Sequence, residues 1–153
     1  MASWREIETD APEFAARLRA RFDAGTNKVL ATLRKDGSPR VSGSEAKFDE
    51  GELTFGMMPG SLKLLDVRRD PRVAMHSPTL EPPAESPQAW EGDAKLSGRA
   101  VEVPPPADSP MVGSGFFRLD ITEAVLTRVG DPPDHLVIES WHAGRGYDRR
   151  ERK

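Results

Sequence analysis

Apolar residues recur along this chain with two different periods. Phe14, Leu18 and Phe22 are spaced by four and share one face of a helix that Asp10 caps, with Glu13 three residues on, and that Gly25 ends. The period then changes to that of strands. Val29 to Leu33 is rich in β-formers, Asp36-Gly37 is a hairpin signal, Arg40 to Phe48 returns, Asp49-Glu50-Gly51 turns again, and Leu53 to Met57 completes a three-stranded meander. Leu62, Leu65 and Val67 revert to helical spacing until Pro71 stops the helix. Four further apolar segments follow: Arg72 to His76, Trp90 to Val103 with a bend or bulge expected at Gly98, Phe116 to Val129, and Leu136 to Trp141. Pro78 to Pro87 and PPPADSPMVGSG separate them as irregular connectors. The expected architecture is mainly β, an antiparallel barrel of six or seven strands with an N-terminal helix and one internal helix, as a single domain over residues 1–153.

The passage from strand to internal helix, TFGMMPGSLKLL, carries the chemistry that stands out. Pro59-Gly60-Ser61 places a turn at a helix N-terminus, where free N–H groups and the positive dipole end favour an anion. Gly60 lets backbone approach closely, while Ser61 and Lys63 offer a hydroxyl and an ammonium, a combination suited to phosphate. The same residues also read as an ordinary serine cap followed by a solvated first-turn lysine.

Composition narrows the rest. The 153 residues are 37% hydrophobic, enough for one core, and contain no cysteine, which removes thiolate catalysis, disulfides and cysteine-held metals. The 22 basic and 25 acidic residues give a net charge of −3, against a general nucleic-acid binder. No run is long enough to span a membrane and the first residues lack the order of a signal peptide, so a cytoplasmic protein is expected. His76, His135 and His142 are too scattered for a metal triad, and no hydrolase or Walker motif is present, so neither a metal ligand nor a catalytic acid or base is assigned. Trp90, Trp141 and Tyr147 suit a core or an interface as well as a stacked ligand. The basic end Arg149 to Lys153 reads as a solvated tail.

Two segments, VLATLRKDGSPRVS and GSLKLLDVRRDPRVAM, resemble in wording, order and separation those of the pyridoxamine 5′-phosphate oxidase-like FMN-binding split-barrel family. The resemblance runs over about residues 13 to 142, and LVIESWHAGRG is similar to the closing strand of some members. It implies a split β-barrel homodimer with a flavin in the groove between subunits, acting as an oxidoreductase on a small molecule. Transferred to this chain, Ser61 and Lys63 match the phosphate turn with Gly60, and Gly56 and Met57 lie on the strand end that lines the flavin. Arg40, with its neighbours Val41 and Ser42, falls on the strand flanking phosphate and ring. Leu62 departs from the vitamin-making oxidases, which carry a second basic residue there, and this points away from pyridoxamine phosphate oxidation itself. FMN is the implied cofactor, with the deazaflavin F420 of a related branch as the alternative and a non-catalytic flavin or haem carrier as a further one.

Overall fold

A computed structural model describes residues 2–108 and 112–153, so Ser109, Pro110 and Met111 of the second expected connector lie outside the described residues. The strands are β1 (Asn27–Leu33), β2 (Pro39–Asp49), β3 (Glu52–Met57), β4 (Arg72–His76), β5 (Asp93–Glu102), β6 (Gly115–Val129), β7 (Leu136–His142) and β8 (Gly146–Arg152). The helices are α1 (Trp4–Asp10), α2 (Pro12–Phe22) and α3 (Leu62–Arg69). Neighbouring strands run in the order β3-β2-β1-β4-β5-β6-β7-β8, all antiparallel, and a further pairing of β3 with β6 closes the first six into a barrel. That closure runs from Thr54 opposite Arg118 to Met57 opposite Gly115. β7 and β8 extend the sheet from the second half of the long β6.

Alternation decides what fills the barrel. Leu30 of β1, Leu53, Phe55 and Met57 of β3, Met75 of β4, Leu96 of β5, and Phe117, Leu119 and Ile121 of β6 are all buried. The Phe55 and Phe117 rings stack with centroids 5.7 Å apart, an arrangement worth about 0.5–1.5 kcal/mol beyond its burial. At Gly98 the β5–β6 register shifts, and a Cβ there would come within 2.0 Å of the Asp120 carbonyl oxygen, so only glycine lets the strands approach.

The N-terminal region holds two helices where one was expected. Ser3 caps α1 in a reciprocal box with Glu6, and Asp10 ends that helix instead of starting the next. Its Oδ2 accepts from Trp141 Nε1 at 2.8 Å, and α2 starts on Pro12, whose missing N–H needs no cap. Trp4, Ile7, Phe14, Leu18 and Phe22 bury one face of the pair, with Trp4 and Phe22 both against Phe48 of β2. The basic tail is strand β8, paired with β7 along its whole length. Its outward charges suit an edge strand, since they discourage pairing with another chain. Beneath the hairpin the buried Glu139 carboxylate takes two bonds from the Arg17 guanidinium and one from Tyr147 Oη at 2.6 Å. Burial pushes Glu139 upward, but Arg17, Tyr147 and Arg128 outweigh it and hold its pKa below the usual range. Among the described residues no helix is long and apolar enough to cross a membrane.

Candidate functional site

A groove of about 1180 Å³ lies where the β2–β3 ribbon runs toward α3. Its floor is formed by residues 43–47 of β2 and 54–58 at the end of β3, its far end by the loop before β1 and the first two residues of that strand, and its near wall by Phe116 of β6 and Pro106. Lys63 stands at the end nearest α3.

Local sequence explains this placement. The inward side of β2 is set by Ser44 and Ala46, both buried, which turns Val41, Gly43, Glu45 and Lys47 outward. On β3 the buried Leu53, Phe55 and Met57 likewise put Gly56 on the outer face. The groove therefore crosses two glycines whose bare backbone a flat molecule can approach closely, since a Cβ at Gly43 would meet nothing within 4 Å and one at Gly56 would only touch the Phe116 ring at 3.4 Å.

At the strand-to-helix turn, Gly60 adopts φ +73 with open space beside it. Ser61 occupies the N-cap position of α3 with extended backbone, yet its hydroxyl makes no capping bond. Its Oγ is buried and has no hydrogen-bond partner among the described residues. A side-chain cap ordinarily contributes about 1 kcal/mol to a helix, a contribution that this hydroxyl does not make. Lys63 Nζ donates to the Gly43 carbonyl at 2.7 Å, which fixes the ammonium at the groove's edge, and burial lowers its pKa. Lys28, at the start of β1, is engaged differently: Nζ donates to the carbonyls of Gly25, Thr26 and Ala46 at 2.8, 3.1 and 2.9 Å and ties the preceding loop to β2.

The residues singled out from sequence divide into groups. Gly56, Met57 and Lys63 line the groove, although the Met57 side chain is buried in the barrel and only its backbone faces outward. Gly60 and Ser61 form the turn leading to Lys63. Val41 is 69% exposed on the same outer face of β2, and Ser42 is half-buried on the inner side. Arg40 is directed elsewhere: Nε donates to Asp66 of α3 at 2.7 Å, and the residue lines a separate hollow. Gly43, Glu45, Lys47 and Phe116 were missed, yet carrying the strand alternation outward from Ala46 and Phe48 identifies the first three.

Elsewhere, His76 Nδ1 meets the Ser77 carbonyl at 2.6 Å, Trp90 Nε1 donates to the Leu80 carbonyl, and Asp49, Glu50, Glu81 and Glu85 are all exposed. Among the described residues no group of His, Asp and Glu gathers as a metal site.

No protein-family model matches the chain, and no curated protein matches it in sequence. In three dimensions it is similar to a pyridoxamine 5′-phosphate oxidase-related, FMN-binding protein of Nostoc punctiforme PCC 73102, with a TM-score of 0.65 and 12% identity over 100% of this chain and 98% of that one. An F420 reductase is similar at a TM-score of 0.50 and 18% identity, over 68% of this chain and 92% of that one. A haem-binding protein of Mycobacterium smegmatis is similar at 0.52 and 13%, over 90% and 87%. The fold is the pyridoxamine 5′-phosphate oxidase-like split barrel, a scaffold that these proteins share across different ligands.

Proposed function

We propose that this split barrel binds FMN in the β2–β3 groove and acts as an oxidoreductase on a small molecule. The observation that carries the proposal is the buried, unpartnered Ser61 Oγ at the start of α3, two residues from the Lys63 ammonium that lines the groove. Together with the unpaired N–H groups of the first helical turn, these supply the donors a phosphate monoester requires. The glycines at 43 and 56 suit the face of a planar ring, with Phe116 at its side. At about 1180 Å³ the groove exceeds the usual 300–1,000 Å³ of a small-molecule site, leaving room for a substrate beside a cofactor.

When bound, a flavin supplies the hydride or electron transfer. The protein's part would be placement: Lys63, with Ser61 at the adjoining turn, would hold the phosphate, the β2 and β3 backbones would bear the ring, and Phe116 with Pro106 would screen one side from water. A second copy of the chain would cover the open side. Val29 and Val41, 44% and 69% exposed, continue the outer face from Gly43, which lies opposite Val29 in the β1–β2 ladder.

The test is a titration of apo protein with FMN and, in parallel, with F420, together with an absorption spectrum of protein purified from a native-like host. FMN binding at one per chain, and a flavin band, are expected. Tighter binding of F420 moves the assignment to that cofactor, and binding of neither overturns it. Stopped-flow reduction of the loaded protein by NAD(P)H then separates an enzyme from a carrier.

A further inference from the structure

Ladder registers place Lys47 of β2 opposite Thr54 of β3, and Thr54 opposite Arg118 of β6, so these three form one row across adjacent strands. Their side chains point outward, because Ala46, Leu53, Phe55, Phe117 and Leu119 beside them are buried in the barrel. Lys47 and Thr54 line the groove, and Arg118 follows Phe116, its near wall, by two residues on the same face of β6. Strands spaced by about 4.8 Å put the Lys47 and Arg118 backbones about 10 Å apart, near enough for both long side chains to meet one ligand above Thr54.

Neither cation is committed. Three arginines are half-buried among the described residues. Arg40 donates to Asp66 and Arg128 pairs with Glu139 at 3.5 Å, whereas Arg118 has neither a hydrogen bond nor an ion pair among the described residues. The Lys47 ammonium has none either, and Thr54 Oγ1 turns to the Lys47 carbonyl at 3.4 Å. A half-buried guanidinium without an acceptor has lost water and gained nothing for it, and its fork matches a carboxylate. The next outward positions on the side away from Gly56 are Asp49, Glu52 and Asp120. Their charges temper the positive potential of the row, which suits a singly charged head group better than a dianionic phosphate.

We infer that the Lys47–Thr54–Arg118 row seats a carboxylate of the small molecule that the groove receives, with the apolar body of that molecule against Phe116. Gly56, on which the ring of the cofactor would lie, is two residues and about 7 Å along β3 from Thr54, so the head group falls beside the ring. This assignment rests on the groove being a ligand site and names the charge of the substrate.

The experiment is calorimetric titration of the full chain, both apo and FMN-loaded, with 2-naphthoate, its neutral isostere 2-naphthamide, and 2-naphthyl phosphate. The carboxylate should bind at one per chain and at least about tenfold more tightly than the amide, the worth of one charge-assisted hydrogen bond. Arg118→Gln and Lys47→Gln should each weaken 2-naphthoate about tenfold while 2-naphthamide and FMN bind within threefold of the natural sequence. Lys63→Ala should weaken FMN and leave 2-naphthoate in place. Melting curves of the variants establish that they are folded. Failure of FMN to bind removes the flavin proposal alone, because titration of apo protein still decides the carboxylate seat. The seat is overturned if 2-naphthoate binds no better than 2-naphthamide, if both glutamine variants bind it as before, if Lys63→Ala abolishes its binding, or if 2-naphthyl phosphate binds more tightly.

Discussion

Lys63→Ala isolates the contact on which the flavin assignment turns. In the free protein the ammonium is already held by the Gly43 carbonyl at 2.7 Å, so most of the side chain's rotamer freedom is lost before any ligand arrives. An ammonium has three donors, and a phosphate can take one without breaking that bond. The variant therefore loses one charge-assisted hydrogen bond with little entropic compensation, about 1.5–3 kcal/mol, or roughly 10- to 150-fold in FMN affinity. Fluorescence titration of apo protein measures this directly. The melting temperature should hardly move, since the lost bond to Gly43 lies at the surface of the groove. A second signature follows from protonation: burial holds Lys63 below the ordinary lysine value of 10.5, so FMN affinity in the natural sequence should decline on the alkaline side before that pH. In Lys63→Ala this alkaline decline should vanish. FMN affinity within threefold of the natural sequence, with the alkaline decline intact, would refute the phosphate seat.

Four further outcomes are expected. Arg17→Met leaves the buried Glu139 with Tyr147 and Arg128 as its donors; because Arg17 is 44% exposed, the cost is put at about 1–2 kcal/mol in a urea melt, and Arg17→Met/Glu139→Leu should recover part of it. Asp66 and Glu139 both have pKa values depressed in the fold, Asp66 because Arg40 and Thr32 outweigh its burial, so their stabilisation is complete above the unfolded values near pH 4 and is lost as pH falls toward the folded ones. Urea midpoints should accordingly drop below about pH 4, and less so in Asp66→Asn. Gly98→Ala, with its Cβ driven to 2.0 Å from a backbone oxygen, should cost about 1–3 kcal/mol and several degrees of melting temperature, whereas Gly43→Ala, facing open space, should melt unchanged. Val41→Glu should shift the protein to a monomer in sedimentation if the outer face of β1 and β2 meets a second copy, and an unchanged oligomeric state rules out that face.

Much of this molecule is written locally. The three-stranded meander from Val29 to Met57, the punctuation by Asp36-Gly37 and Pro71, the bulge at Gly98 and the Pro-Gly-Ser turn ahead of Lys63 each depend on residues within a few positions of one another, and each is found where the sequence places it. Helix α1 was also legible in principle, through the Ser3–Glu6 box. The charges of Arg149 to Lys153, by contrast, suggested a solvated tail and concealed β8, because an edge strand can carry charge wherever its backbone finds a ladder.

Tertiary structure decided the rest. The β3–β6 closure joins residues about sixty positions apart and leaves no local mark. The fate of Arg40 turned on a single step of register: successive side chains on a strand point to opposite faces, so Gly43 opens onto the groove while Arg40 meets Asp66 on the other side. Which face is inside depends on which distant strands complete the barrel, and that information belongs to the closed sheet as a whole.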